Sequence, residues 1–386
     1  MVVSLFDLYF PLPYRICATI LIGIYAWGLN VHLLTDARID VQSLIKYTHY
    51  NDSRRPFYQA IYHFAFVLTL YVIISWGIFV IGVNTKDLDI NGPSASIKLL
   101  DLVPVLTLFG FLFAFVYPGK TFHYNGRQRL LGIFKRIIFG GLDIDCRFAD
   151  ILIADVLTSY NKVLLDLVYT LCIFFSGKSS LTNPNRTYGG DFVAPITMAI
   201  PSLIRFSQCS IDYLRSGATI HILNCIKYAS AFPILIAALL LKKSKDSPDQ
   251  DAFFDQNFFF KLWTLASLIN STYSFYWDVT NDWGLELFDS FPSYHYGGLR
   301  SVRVVKFRLV YYAVVLIDFT LRAVWILKLT YSWNDFPDLE TGLFILETLE
   351  ISRRAFWVFF RTEKEWASSG TIIKDHNIQL PLTERR

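Results

Sequence analysis

Charge is scarce in this chain. Only 18% of its 386 residues are Asp, Glu, Lys or Arg, against about 25% in a soluble domain. With 53% hydrophobic residues, gathered in long apolar runs between residues 16 and 361, this excludes an ordinary soluble fold. The net charge is +4 and no basic domain stands out, so nucleic acid is not expected as a partner. The five cysteines, Cys17, Cys146, Cys172, Cys209 and Cys225, form no C-x-x-C pair, so neither a disulfide framework nor a zinc site is expected. H-E-x-x-H and G-x-S-x-G are absent. Gly177-Lys178-Ser179 is not a P-loop, because Cys172 stands where that motif needs Gly. The N-terminus lacks a basic region followed by a small-residue cleavage site, so the first apolar run reads as a retained anchor.

What is present is an all-α, polytopic transmembrane helical bundle of about ten spans with no soluble domain. The lipid bilayer is its surroundings. Spans are expected at about 16–34, 58–83, 97–117, 149–175, 191–214, 219–241, 254–277, 304–330 and 339–361. The segment 129–142, RLLGIFKRIIFGGL, is amphipathic and basic. It either lies in the interface or makes a short further span, which decides between nine and ten. Three parts follow: 1–148 with the first helices and this segment, 149–361 with the charged helices, and 362–386 as a polar tail. Asn51 and Asn185 begin glycosylation sequons, and the second suggests a lumenal loop. Asn270 also begins one, inside a span.

The scarce charge is not scattered. Asn270, Ser274, Asp278 and Asp282 follow one another in steps of four, on one face of a helix. Asp155, Ser159, Lys162 and Asp166 make a second stripe, with Thr158 beside it. Arg205, Gln208 and Asp212 make a third, and His221, Asn224 and Tyr228, with Lys227 alongside, a fourth. Asp318, Arg322 and Trp325 share a later span, and the last carries Glu347, Glu350, Arg353, Arg354, Trp357 and Arg361. An ionised group at mid-bilayer costs roughly 2.5–3.5 kcal/mol. So many must pair, sit at the interface or line a hydrated path. For Asp318 with Arg322, simple pairing is an equal rival, and Arg361 reads as an interfacial anchor. Arg322, Arg353 and Arg354, with Lys227, suit an oxyanion such as phosphate. Asp155, Asp278 and Asp282 would hold those cations. Asp-x-x-x-Asp also occurs in membrane phosphotransferases, but the upstream Asp-Gly-x-x-Ala-Arg is missing. No catalytic residue, metal or cofactor is therefore expected.

These stretches resemble the EXS family, which includes phosphate exporters. The matching segments are YPGKTFHY (117–124), FADILIADVLTSY (148–160), RFSQCSIDY (205–213), HILNCIKYASAF (221–232) and SFYWDVTNDWGL (274–285). LIDFTLRAVWILKL (316–329) and LEISRRAFWVFFRTEKEW (349–366) complete them. The compact length looks most like the family's ER-retention-defective branch. The resemblance implies ten helices with both termini cytosolic and a phosphate path along Asp155, Thr158, Lys227, Tyr228, Asp278, Asp282, Arg322, Trp325, Glu350, Arg353 and Arg354. Trp325 and Tyr228 would form a constriction. It further implies a Golgi membrane protein that returns inorganic phosphate from lumen to cytosol, supporting glycosylation and retention of lumenal ER proteins. There are departures. The exporters' SPX domain has no counterpart, so its inositol-pyrophosphate control is not carried over. Thr158 stands where they have Asn, and Ile211-Asp212 where they have paired Arg. The rival reading is a sorting scaffold whose tail recruits Golgi recycling machinery for glycosyltransferases. A homodimer stays open as an oligomeric state.

Overall fold

In lipid the backbone must satisfy its own hydrogen bonds, so apolar runs of this length become helices. The computed structural model describes residues 4–47, 56–85, 95–140, 146–176, 186, 190–246, 255–289, 297–330 and 339–378. Among them every regular element is helical and there is no strand. The chain runs α1 (Leu5–Tyr9), α2 (Leu12–Asp36), α3 (Val41–Leu44), α4 (Phe57–Thr85), α5 (Ala95–Val116), α6 (Tyr124–Phe139), α7 (Arg147–Ser159) and α8 (Asn161–Phe175). It continues through α9 (Val193–Ser216), α10 (Thr219–Ala229), α11 (Ala231–Asp246), α12 (Gln256–Trp277) and a π-helical turn at Asp278–Asp282. Then come α13 (Arg308–Arg322), a 3₁₀ turn at Val324–Ile326, α14 (Leu327–Thr330) and α15 (Leu339–Ile378). Four described helical paths are long and apolar enough to cross a membrane: Leu12–Asp36, Phe57–Thr85, Thr219–Lys245 and Arg308–Ile326. The chain is thus a helical membrane protein.

Several expected spans are interrupted. The helix expected over 149–175 is two, meeting at Tyr160, whose hydroxyl donates to the Thr19 carbonyl at 3.2 Å. The helix over 219–241 breaks at Ser230, three residues before Pro233. Pro233 has no N–H to bond the Ala229 carbonyl, so the α-helical ladder stops there. Ser230 Oγ sits within hydrogen-bond distance of the Lys227 carbonyl (2.7 Å) and Asn270 Oδ1 (2.8 Å). The span over 304–330 starts only at Arg308 and kinks at Ala323. The polar tail expected from 362 begins inside α15, where Thr362 and Glu363 are fully buried.

Two contacts orient the bundle. Arg15 Nη1 lies 2.9 Å from Glu340 Oε2, and Asn30 Nδ2 donates to the Ala355 carbonyl at 2.9 Å. α2 and α15 are therefore parallel. Tyr9 meets Asn84, and Phe64 packs on Phe115, so α4 runs opposite to α2 and α5 runs with it. α6 packs against one end of the bundle. Arg129 Nη2 reaches the Ile45 carbonyl at 2.9 Å, and Arg136 clasps Asp150 in the first turn of α7. α6 thus leans on the bundle from the end where α2 finishes and α7 starts. Among the described residues the paths apolar and long enough to cross are α2, α4, α10 with α11, and α13 with the 3₁₀ turn, and α5 adds a shorter apolar helix. The expectation of about ten spans goes beyond these, and the 129–142 segment is not one of them. Because α2 and α15 run parallel, the start of α2 and the finish of α15 lie at opposite ends of the bundle.

One core packs α2, α4 and α5 through Tyr14, Phe64, Leu68, Phe79, Leu108 and Phe111. A second, of Val279, Trp283, Tyr311, Trp357 and Phe360, fixes the π turn against α13 and α15. The outer face of α4 leaves Phe66, Ile73, Ile74, Ile78 and Ile81 exposed, as a lipid-facing surface requires.

Candidate functional site: a buried ion network

The polar stripes converge. α12 stops at Trp277 and the next five residues wind more widely, as a π turn. Such turns recur where helices carry functional groups. The turn ends at Gly284, whose φ of +62° suits glycine. It aims both carboxylates at one cation: Lys227 Nζ lies 2.9 Å from Asp278 Oδ1 and 3.1 Å from Asp282 Oδ2. Asp278 is fully buried and also accepts from Arg322. Arg322 Nε donates to Asp318 Oδ2 at 3.0 Å, and Arg353 Nη1 to Asp318 Oδ1 at 2.8 Å. Arg353 grips Glu350 twice, at 2.6 and 2.9 Å. On the α7 side, Asp155 accepts from Arg205 Nε at 2.8 Å and from the Tyr228 hydroxyl. Arg205 stands over the Tyr228 ring, 4.8 Å from its centre.

Five cations, Arg205, Lys227, Arg322, Arg353 and Arg354, thus face five carboxylates, Asp155, Asp278, Asp282, Asp318 and Glu350. Desolvating an ion costs several kcal/mol, so a buried network of this size is a poor choice if stability alone were served. Arg354 is the exception within it. Among the described residues no carboxylate lies within 4.0 Å of it. Its Nε donates to Ser159 Oγ at 2.9 Å and its Nη2 to Thr158 Oγ1 at 3.1 Å. Ser159 in turn donates to Glu350 at 2.7 Å. The guanidinium sits 4.7 Å from the Trp357 ring centre, and Trp357 Nε1 donates to Asp282 at 3.2 Å. The Glu350 side chain is 37% exposed while its partner Arg353 is 4% exposed, so the network opens to accessible space beside Glu350.

Of the residues expected along the path, Asp155, Thr158, Lys227, Tyr228, Asp278, Asp282, Arg322, Glu350, Arg353 and Arg354 come together. Trp325 does not join by a hydrogen bond or ion pair. It packs edge-on against Trp263, and its buried Nε1 has no partner among the described residues. Tyr228 lies inside the network rather than opposite Trp325. Ser159, Arg205, Asp318 and Trp357 belong to the site although the selected set omitted them. All four stood on the stripes, but spacing cannot show which stripe members meet. Asp318 pairs with Arg322 and also links it to Arg353. Arg361 pairs with Glu365 at 3.0 Å.

A second network lies at the end where α2 begins. Arg15 binds Asp7 and Glu340, and Arg186 binds Glu340 at 2.7 and 2.8 Å and Asp166 at 2.9 Å. A third pins the opposite end. Fully buried Glu363 accepts from Arg300 (2.5 Å), the Val304 amide (2.6 Å) and the Tyr311 hydroxyl (2.5 Å). Neither could be read from helical spacing, since their members come from different segments. Among the described residues no cluster of three His, Cys, Asp or Glu side chains could hold a metal. Asn51, Asn185 and Gly177–Ser179 lie outside the described residues; Asn270 is inside α12.

A polytopic helical protein with a charge-balanced polar core is the class these features define. The EXS family model matches residues 10–367, and the chain belongs to that family. It is similar to Protein ERD1 homolog 1 of Schizosaccharomyces pombe, at 31% identity over 376 residues, 94% of this chain and 92% of that protein. Protein ERD1 homolog 2 of the same organism is 27% identical, over 91% of this chain and 95% of its own. Human Solute carrier family 53 member 1 is 30% identical over 67% of this chain but 38% of its own length.

Proposed function

We propose that the chain moves inorganic phosphate across a membrane along the buried ion network. The observation that carries this is Arg354, a buried guanidinium held by two hydroxyls and by no carboxylate, next to the accessible space at Glu350. An oxyanion reaching that space meets a cation it can bind without displacing an acid. Arg353, Arg322 and Lys227 then offer successive sites, each gained by exchange with Glu350, Asp318, Asp278 or Asp282. Because the carboxylates balance the cations, binding is weak enough for release, as conduction requires. The likeness to a solute carrier and to the ERD1 homologs supports a transporter rather than an enzyme. It also supports the Golgi membrane as location, with phosphate returned from lumen to cytosol. Effects on glycosylation and ER retention would follow from that return.

The test is radiolabelled phosphate flux through proteoliposomes holding the wild-type chain beside Arg354→Gln. Losing charged hydrogen bonds worth about 1.5–3 kcal/mol should lower flux by roughly ten- to a hundredfold. The unfolding midpoint should stay near wild type, because the partners left behind are neutral hydroxyls. Wild-type flux retained in full by the variant would remove Arg354 from the path. The sorting-scaffold reading draws support from the ERD1 homolog names, and would be preferred if folded wild type gave no flux.

A further inference from the structure

Glu347 is a carboxylate that neither the central network nor the Arg15 network claims. It is 6% exposed, and among the described residues it makes no hydrogen bond and no ion pair within 4.0 Å. It follows Glu340 by seven residues and precedes Arg354 by seven, so it shares their face of α15 about 10.5 Å, two turns, from each along the axis. It therefore stands between the two networks. The charged groups that face it are Asp166 and Lys162 on α8, Arg186 and Glu340. Asp166 and Glu340 are already engaged by Arg186, and Glu340 by Arg15 as well. Lys162 is the remaining cation, and it is not within ion-pair distance. A buried ionised carboxylate without a partner is costly, and the usual escape is to take up a proton.

We propose that Glu347 is a proton-binding site on the anion path, neutral when phosphate passes and charged when passage is blocked. The inference rests on the transport reading above. A proton adds to one carboxylate oxygen, giving a neutral carboxyl that can donate one hydrogen bond, and it leaves again to water. Ionised, Glu347 sets a negative charge between the Arg15 end and Arg354 and repels phosphate. Protonated, it removes that charge and adds a donor. The sign follows: flux is full below the titration point of Glu347 and falls as pH rises through it. On the alkaline side the neutral fraction drops about tenfold per pH unit.

Phosphate flux would be measured in proteoliposomes over a pH series for wild type, Glu347→Gln and Glu347→Asp. Comparing variants at equal pH cancels the ionisation of phosphate itself. The Gln side chain mimics the neutral acid, so the ratio of Glu347→Gln flux to wild-type flux should rise with pH, by up to about tenfold per unit. Glu347→Asp should keep the wild-type kind of pH dependence. A ratio that stays constant with pH, or a Gln variant that loses flux at acid pH while still folded, overturns the proposal. A second readout needs no transport: an infrared difference spectrum, in detergent, showing a carboxylic-acid band that titrates in wild type, shifts in Glu347→Asp and is missing in Glu347→Gln. Such a band with no wild-type flux sinks the transport reading but leaves the proton site standing. Flux without the band sinks the proton site.

Discussion

Asp278 has no exposed surface, yet it serves Lys227 and Arg322 and lies 3.7 Å from Arg353. Removing its carboxylate leaves those cations buried and unbalanced. Breaking a buried pair in this way costs about 3–5 kcal/mol. Asp278→Ala should therefore unfold at a clearly lower temperature than wild type in detergent, and lost flux in that variant would report stability rather than path. An unchanged midpoint would mean the network is hydrated enough to absorb the loss. Arg354 belongs to the other kind of residue, with neutral hydroxyl partners and a link through Ser159 to the part-exposed Glu350. The sequence named both, because charge inside an apolar run is visible at once. It could not tell them apart, since the difference is which side chain from another helix arrives beside each.

At the scale of the element, the helix breaks carry the site. Tyr160, Ser230 and the π turn at Asp278–Asp282 interrupt three passages where the polar side chains gather. The break at Ser230 has a local cause in Pro233, although an unbroken span was expected over 219–241. The break at Tyr160 has no proline or glycine and arises from a tertiary contact, which is why an unbroken span was expected over 149–175, while the π turn begins where the expected span 254–277 ends. α15 shows the converse: polarity after 361 suggested a tail, but the helix persists because Glu363 has three donors waiting on the 300–311 segment. Truncation after Ile378 should leave stability and phosphate flux intact. Truncation after Arg361 removes Glu363 and should lower the unfolding midpoint sharply. If the shorter deletion alone abolished function in cells while flux persisted in vesicles, the tail's sorting role would gain over transport.

For the whole molecule, the parallel run of α2 and α15 fixes which loops share a side. Tyr47 and Pro56 flank the first sequon at the end where α15 finishes, since Val41 and Phe57 pack in one cluster with Trp366. Arg186, within the second sequon, is bound at the other end by Glu340. The described neighbours of the two sequons thus lie at opposite ends of the bundle. Arg38, Lys46, Lys120, Arg127, Arg300 and Lys306 flank the α15 end while Lys242, Lys243 and Lys245 close α11 at the other, so loop charge is divided between the two ends. Asn185→Gln should abolish a glycosylation-dependent gel shift and Asn51→Gln should not. The reverse result would invert the bundle.

The sequence by itself determined the helical membrane class, the family and most of the residues that meet in the core. These follow from apolar run length and from charge where charge is expensive, both of which are local. Only the tertiary structure decided that α2 and α15 run parallel, that α6 leans on one end of the bundle, that Arg354 lacks an acid among the described residues, and that Glu347 stands alone between two networks. Each of these depends on which helix packs beside which, and helical periodicity states only the direction a side chain takes from its own axis.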